Sequence, residues 1–453
     1  MHLSRPPQFL NILTIPLELS HRILIFCHPY DVAAFSRTCR LAYELVQDEY
    51  LWQRLWHSYS FDNPQLVLET RRAVALIPAP ESHPSSDGWK LEFTRRMRAE
   101  LVATKTREQY ALLSSRDKRE ALQVFVSVLE ESLPAFGTKV WDGTPVDLSC
   151  SENVCWVQRV LQKSRLIAPV FLSLEDEKEI SELQARIRSC MDEFEWGGKT
   201  RRATADRRNR SRAFVYDLRN YGYTTAYGPY RADGRVNWTH VEHLVNVVLS
   251  NLNDLPSHIV TPARPPFGLD SLRPYTAPGK YSPRDWAGVE GTWRRYVCFM
   301  DYRDLFDGPL HPKFFEDPRF REATRLIEVK LHIVPRSQIR HFPSSEILDE
   351  STSPIHPTTF FVGSSKGANG NEATIEGFVW VASDRTVRWK LKVSIYDHSP
   401  QWSSTGVQIG DVGSARGVAG VWTTTLHEQG DPVGPFWLWK VEDNCSEDLV
   451  EYT

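Results

Sequence analysis

The feature that most constrains the fold is a change in hydrophobic period near Gly288. Beyond it apolar and polar residues alternate, so that Val387, Trp389, Leu391 and Val393 are each separated by one arginine or lysine. Because the side chains of a strand point alternately to two faces, this pattern predicts half-buried antiparallel strands. Similar segments lie at residues 292–301, 327–333, 358–363, 373–382, 405–410, 418–426 and 435–441.

There are about eight such segments. Eight strands are enough for an up-and-down sheet to close into a barrel, which removes the exposed edges of the sheet. The chain has 453 residues, too many for one compact core. We therefore predict an α+β chain. It has a three-helix module in residues 1–60, a mainly helical middle region with loops in 61–285, and an antiparallel, roughly eight-stranded β-barrel in 286–453.

Two parts of the middle region contain residue types that occur in functional sites, but neither matches a known motif. Residues 238–252 have helical spacing, and His240 and His243 flank Glu242 there without forming a zinc motif, so we expect surface histidines. Residues 199–212 hold seven basic side chains. They fit a nuclear-import signal or a patch for an acidic partner, but also a solvated linker, which we favour.

Residues 13–56 carry a high density of large apolar side chains. Leu19, Ile23 and Phe26 follow one another at helical spacing, and a later helix carries the apolar stripe Leu51, Trp52, Leu55 and Trp56. This is more apolar surface than so small a unit can bury in itself. The pattern fits an ordinary helical start to a domain, or helices that complete their core against a partner.

The order of short motifs in this segment resembles the F-box, the adaptor-binding module of cullin-based ubiquitin ligases. The motifs are Ile15-Pro16-Leu17-Glu18-Leu19, Tyr30-Asp31-Val32 and Thr38-Cys39-Arg40, with Ile15 in place of the usual leucine. The resemblance implies binding to a Skp-type adaptor and through it to a cullin. The adaptor-binding residues it implies are Ile15, Pro16, Leu17, Leu19, Ile23, Phe26, Val32, Phe35, Cys39, Leu51, Trp52 and Trp56.

The β-rich part of the chain has likenesses of its own. Gly291-Thr292-Trp293 resembles the Gly-x-Trp opening of lipocalin-type barrels, and Gly420-Val421-Trp422 repeats the pattern. Residues 406–437, together with segments near 238 and 291, resemble a large family of fungal F-box proteins. That resemblance implies a substrate-recognition subunit of an SCF-type cullin-RING ubiquitin ligase, whose barrel captures a protein target for ubiquitination.

A catalytic serine is the main alternative chemistry that the sequence offers. Gly363-Ser364-Ser365-Lys366-Gly367 matches the Gly-x-Ser-x-Gly nucleophile elbow, and Asp397, His398 and His427 follow in the order of a hydrolase triad. The elbow needs a helix after the serine, whereas Gly367 to Asn371 leads into another predicted strand. A glycine-rich hairpin loop is therefore the better interpretation, and we expect no catalytic residue.

The barrel and its loops are the expected place for target binding. Aromatic side chains and loop-supplied polar groups make good anchors for a partner. The candidate substrate-binding residues are Ser365, Asn369, Trp402, Asp411, Arg416 and Trp437. Two alternatives stay open, a barrel that binds a small apolar ligand and a hydrolase that uses Ser365.

Composition excludes several other classes. The net charge of −3 gives no bulk attraction to nucleic acid or to a membrane surface. The seven cysteines are scattered without metal-site spacing, so we expect no metal and no cofactor, and an intracellular location in the cytoplasm and/or the nucleus. Neither a signal-peptide core nor an apolar run of about 20 residues is present, so we expect no membrane segment.

Overall fold

The structure is a computed structural model. It describes residues 12–59, 61–73, 88–135, 150–168, 175–191, 200–254, 263–279, 281–282, 284–300, 311–317, 322–343, 346, 356–395, 399–428, 430–445, 449 and 451–452. Within these residues, twelve α-helices precede a closed antiparallel barrel of eight strands. The predicted fold class is therefore confirmed.

Four short helices, one more than predicted, form the N-terminal module: α1 (Leu17–Ile25), α2 (Pro29–Phe35), α3 (Arg40–Leu45) and α4 (Glu49–Ser58). Side chains cap three of them. His28 accepts a hydrogen bond from the amide of Tyr30, the Cys39 thiol accepts one from Ala42, and Asp48 accepts one from Tyr50. A capped N-terminus satisfies amides that a helix leaves free, and this fixes where each short helix begins.

Eight more helices make up the middle region. They are α5 (Pro64–Ala73), α6 (Trp89–Ala103), α7 (Arg107–Ala111), α8 (Ser115–Glu130), α9 (Glu152–Leu161), α10 (Glu175–Arg188), α11 (Arg201–Val215) and α12 (Trp238–Asp254). The helix predicted over 238–252 is confirmed as α12. The domain boundaries at residues 60 and 285 stay predictions.

The barrel is an up-and-down meander in which every predicted strand is present. Its strands are β1 (Gly291–Met300), β2 (Glu322–Val334), β3 (Thr359–Lys366), β4 (Glu372–Val381), β5 (Val387–Ser394), β6 (Trp402–Gln408), β7 (Val418–Thr424) and β8 (Gly434–Lys440). Strand β1 pairs with β2 on one side and with β8 on the other, which closes the sheet. A short ninth strand, β9 (Glu451–Tyr452), pairs with β2 beside β3.

The two faces of the sheet bury different partners. Side chains on the inner face, among them Trp293, Phe361 and Trp389, form the apolar filling of the barrel. The rings of Trp293 and Trp389 lie 5.2 Å apart, close to edge-on. On the outer face, Tyr296 and Trp437 belong to the core that the barrel shares with the helices. Both faces of part of the sheet are therefore buried.

The basic segment is a helix, and the linker interpretation was wrong. The described part of the segment lies in α11, where Arg201 and Arg202 are exposed but Arg212 is buried. The Arg212 guanidinium forms an ion pair of 2.9 Å with Glu322 of β2 and donates a 2.8 Å hydrogen bond to Asn251. This contact attaches the helix to the barrel wall. The Arg212 side chain is therefore not accessible to a nuclear-import receptor.

The two histidines of α12 are not surface residues, which corrects the expectation from sequence. His240 is buried and its Nε2 lies 3.1 Å from the Tyr221 hydroxyl, while His243 Nδ1 lies 3.0 Å from the Ser211 hydroxyl. Burial lowers the pKa of His240 to about 3 and that of His243 to about 4. Both rings are therefore neutral packing elements at neutral pH.

A pH dependence of stability follows from His240. Its pKa in the folded chain is about 3, whereas an unfolded histidine titrates near 6.5. The folded state therefore binds fewer protons between these values. The contribution of His240 to the free energy of unfolding is therefore fully present above about pH 6.5. Below that value this contribution falls by about 1.4 kcal/mol for each pH unit.

Urea unfolding at two pH values measures this effect. Between about pH 7.5 and about pH 5.5, His240→Asn should lose about 1.4 kcal/mol less stability than the wild-type chain, because asparagine does not titrate. The difference between the two proteins isolates His240 from the other titrating groups. An equal loss in both would show that His240 is not held neutral by burial.

Candidate functional site

The first candidate site is a set of exposed apolar side chains on the N-terminal helices. Among the described residues fourteen large apolar side chains are exposed, and eight of these fall between residues 17 and 50. On α1 they include Leu17, Leu19 and Ile23, each about half exposed, and Phe26 follows at 83 %. Such a concentration of exposed apolar surface is typical of an interaction site.

The inner side of α1 explains why these residues face outward. Ser20, His21 and Leu24 are buried on the opposite side of the helix. The Ser20 hydroxyl donates to the carbonyl of Ile12 at 2.7 Å, and His21 Nε2 lies 3.1 Å from the carbonyl of Leu45. These polar contacts fix the rotation of α1, so its apolar outer residues cannot turn inward.

The apolar stripe of α4 is covered by the chain itself, not by a partner. The Trp52 ring packs 5.6 Å from Phe93, and the Trp56 ring packs 5.6 Å from Trp89, both on α6. Arg96 of α6 lies over the Trp56 ring at 4.3 Å. The predicted adaptor contacts through Val32, Leu51, Trp52 and Trp56 are corrected, because all four side chains are buried in this core.

The other predicted adaptor residues lie at or near the surface. Pro16, Leu17, Leu19, Ile23, Phe26 and Cys39 are exposed, and Ile15 and Phe35 are partly buried. Sequence reasoning did not assign four further exposed apolar residues to this site, namely Tyr30, Leu41, Tyr43 and Tyr50. No one feature of the sequence marks all four, because Tyr30, Leu41 and Tyr50 are the second residues of capped helices whereas Tyr43 is not.

The second candidate site is a cavity at one end of the barrel. Its volume is about 300 Å³, and it opens where β1 ends and β6 begins. The other end is filled, because Tyr275, Trp286 and Val412 join the inner core there. The cavity wall includes Val297, Phe299, Ile327, Val393, Trp402 and Trp422.

Three of the six predicted substrate-binding residues line this cavity: Ser365, Asn369 and Trp402. The other three are at the helical interface, which corrects their assignment to a target-binding surface. Arg416 and Trp437 are fully buried, and Arg416 donates to the carbonyls of Ser189 and Pro266 at 2.9 and 3.0 Å. Asp411 is paired with Arg71 at 3.2 Å. The loop 410–417 therefore attaches the barrel to the helices.

Ser365 does not lie in a nucleophile elbow. It is part of β3, and a turn after it leads into β4, as predicted for a hairpin. The imidazole of His427 stacks on the Tyr227 ring at 3.8 Å. Asp397 and His398 lie outside the described residues. The described residues thus lack the strand–turn–helix geometry that a hydrolase of this class requires.

Metal-ligating side chains and cysteine thiols are two further candidates for chemistry in this chain. The described part of the chain contains no group of three histidine, cysteine or acidic side chains placed to hold a metal ion. All seven cysteines are free thiols. Burial raises the pKa of Cys298 to about 12 and also raises that of Cys190, and a raised pKa keeps a thiol in its unreactive protonated form.

The N-terminal helices form a capped module with an apolar outer surface, and a closed barrel follows later in the chain. This order defines a protein in which a docking module precedes a larger domain. Residues 12–58 match the family model described as F-box-like, so the chain carries an F-box-like domain. Neither the curated proteins nor the solved structures contain a match to this chain. None of the described helices is long and apolar enough to cross a membrane. The resemblance of the barrel region to fungal relatives stays a prediction.

Proposed function

We propose that this chain is the substrate-recognition subunit of an SCF-type cullin-RING ubiquitin ligase. F-box-like domains bind Skp-type adaptors generally, and the match at residues 12–58 carries the proposal. The half-exposed leucines and isoleucine of α1 supply a surface that such an adaptor would cover. Through the adaptor the chain would join a cullin in the cytoplasm and/or the nucleus.

In this proposal the barrel holds a protein target and the chain has no catalytic residue. Ubiquitin transfer would be carried out by other subunits, and this chain would contribute by holding target and ubiquitin donor near each other. The cavity, whose wall includes three of the predicted substrate-binding residues, supports target binding at this end of the barrel. The turn between β3 and β4, which includes Asn369, is the exposed element beside it.

Affinity purification from cells with blocked proteasomes tests the proposal. The wild-type chain should bring down an adaptor, a cullin and ubiquitinated proteins. A chain with Leu19→Asp and Ile23→Asp should still bring down the target but lose the adaptor and cullin. Truncation before residue 60 is a poor test, because it would expose Trp89 and Phe93, which pack on the F-box-like helices.

A second variant separates target capture from adaptor binding. Asn369→Lys changes the exposed turn beside the cavity without altering the buried core. We expect it to reduce the recovery of ubiquitinated proteins while the adaptor and cullin are retained. Ser365→Ala serves as the control for hydrolysis and should leave target ubiquitination intact. Loss of activity with Ser365→Ala, while target binding survives, would favour the hydrolase alternative.

A further inference from the structure

A buried arginine without an acidic partner lies at the inner end of the barrel cavity. Arg295 is the fifth residue of β1, and it shares the inner face of the barrel with Trp293 and Val297. It is only 6 % exposed, yet it is one of the residues that line the cavity. With an advance of about 3.4 Å per residue, it lies roughly 13 Å below Phe299 at the opening.

The contacts of Arg295 leave its charge uncompensated. Its Nη2 donates a 2.7 Å hydrogen bond to the Ser404 hydroxyl, and its guanidinium lies 4.7 Å over the Phe436 ring. Its Nε is buried without a hydrogen-bond partner. Within the described residues no carboxylate comes within 4.0 Å of this guanidinium, since none forms an ion pair with it.

Three other buried arginines of the described residues are paired with carboxylates. Arg188 pairs with Glu242 at 2.8 Å, Arg212 with Glu322 at 2.9 Å, and Arg294 with Glu328 at 2.6 Å. Arg294 is the immediate neighbour of Arg295 and points to the outer face. Since a buried charge is costly without a partner, the position of Arg295 inside the cavity requires an explanation.

Burial lowers the pKa of Arg295 to about 10, so the group remains positively charged near neutral pH. The charges at the cavity opening do not neutralise it. Arg325 there is paired with Glu451 at 2.6 Å, and its guanidinium lies 4.8 Å over the Phe299 ring. The cavity lining therefore combines the Arg295 charge at its inner end with the Arg325–Glu451 pair at its opening and with the Glu372 carboxylate at the start of β4.

The walls between these two ends are mainly apolar. Val297, Ile327 and Val393 line them, and the rings of Trp402 and Trp422 meet edge-on at 5.3 Å. A cavity of about 300 Å³ is of the size that takes a small organic molecule. A ligand that matches this site has one anionic group and an apolar body.

We propose that the barrel cavity binds a small monocarboxylate with an apolar chain. Its carboxylate accepts hydrogen bonds from the Arg295 guanidinium and the Ser404 hydroxyl, and its chain contacts Val297, Val393 and Trp402. The carboxylate supplies the negative charge that no described side chain provides within ion-pair distance of Arg295. This site is independent of adaptor binding, so it stands or falls separately from the proposed ligase function.

Binding of three probes of equal length to the purified full-length chain tests the proposal. The probes are decanoate, decanol and decylamine, and the signal is the fluorescence of the tryptophans that line the cavity. Charge-assisted hydrogen bonds make decanoate bind about tenfold or more tighter than decanol, with decylamine weakest. Equal affinities for all three probes would overturn the proposal, and this comparison uses only the wild-type chain.

Two variants assign the effect to Arg295. Arg295→Met reduces decanoate affinity to the level of decanol and leaves decanol binding unchanged. Lys366→Met is the matched control, because it removes one positive charge from the outer surface of β3 beside Ser365. It should leave all three affinities unchanged. An equal loss of decanoate binding in both variants would show that general charge, not Arg295, attracts the anion.

Thermal unfolding gives a second readout that a purely structural role would not produce. Without ligand, Arg295→Met should unfold at a higher temperature than the wild type, because an unpaired buried charge is replaced by an apolar side chain. Decanoate should raise the unfolding temperature of the wild type but not of the variant. A less stable or unfolded variant would identify Arg295 as a structural cation and overturn the proposal.

Discussion

A chain that carries Leu19→Asp and Ile23→Asp is expected to lose its Skp-type adaptor while keeping its own fold. Both side chains are about half exposed, and they lie one helical turn apart on α1. A charge placed in the apolar centre of an interface removes the contact and adds a desolvation cost. Two such positions at about 2 kcal/mol each weaken binding several hundredfold, which abolishes co-purification.

Two control variants define what this result means. Leu112→Asp places the same charge on a leucine that is exposed outside the F-box-like domain, and adaptor binding should be unchanged. Trp52→Ala removes a ring from the core between α4 and α6. It should reduce the free energy of unfolding by about 3–5 kcal/mol. Wild-type adaptor binding by the double aspartate variant would place the interface elsewhere.

Arg212→Met is expected to destabilise the chain by about 3–5 kcal/mol. The change leaves the Glu322 carboxylate buried without its cation, although the Tyr216 hydroxyl still donates to it. Burial already raises the pKa of Glu322 in the presence of Arg212. Loss of the arginine makes the charged carboxylate still more costly, so unfolding in urea should begin at a lower concentration.

The double variant Arg212→Met with Glu322→Leu separates the ion pair from simple packing. Replacing both charges should recover most of the lost stability, because no uncompensated charge remains. Arg202→Met, which alters an exposed arginine of the same helix, should change stability by no more than about 0.5 kcal/mol. A loss in the double variant as large as in Arg212→Met would mean that the ion pair is not the source.

The barrel was predictable because its signal is local. A strict period of two identifies each strand from its own residues, and eight such segments leave few topologies besides a closed meander. Each strand predicted between residues 292 and 441 is present, although β6 begins at Trp402, before the predicted start at residue 405. The hairpins follow from turn residues, as at Arg385, whose φ of 63° fits a tight turn.

The errors arise where a distant segment covers a surface. Trp52 and Trp56 have the size and spacing of interface anchors, but α6 lies more than thirty residues later and packs on them. Arg416 likewise looks like a loop residue, yet the carbonyls of Ser189 and Pro266 surround it. Helical spacing gives the apolar face of a helix but not the identity of the element that covers it.

Arg295 illustrates a signal that was present but incomplete. The alternation Trp293, Arg295, Val297 and Phe299 places an arginine on the inner face of a barrel strand. The absence of an acidic partner among the described residues becomes visible only when all eight strands are assembled. A sequence shows which face a charge occupies, whereas the structure shows what compensates it.

Adaptor binding by α1 is tested most directly by isothermal titration calorimetry, in which a purified Skp-type adaptor is titrated into the purified full-length chain. We expect a 1:1 complex with a negative heat-capacity change, since apolar surface on α1 becomes buried. The Leu19→Asp, Ile23→Asp variant, shown to be folded by circular dichroism, should give no binding heat. Absence of binding by the wild-type chain, or equal binding by the variant, would show that α1 is not an adaptor-binding surface.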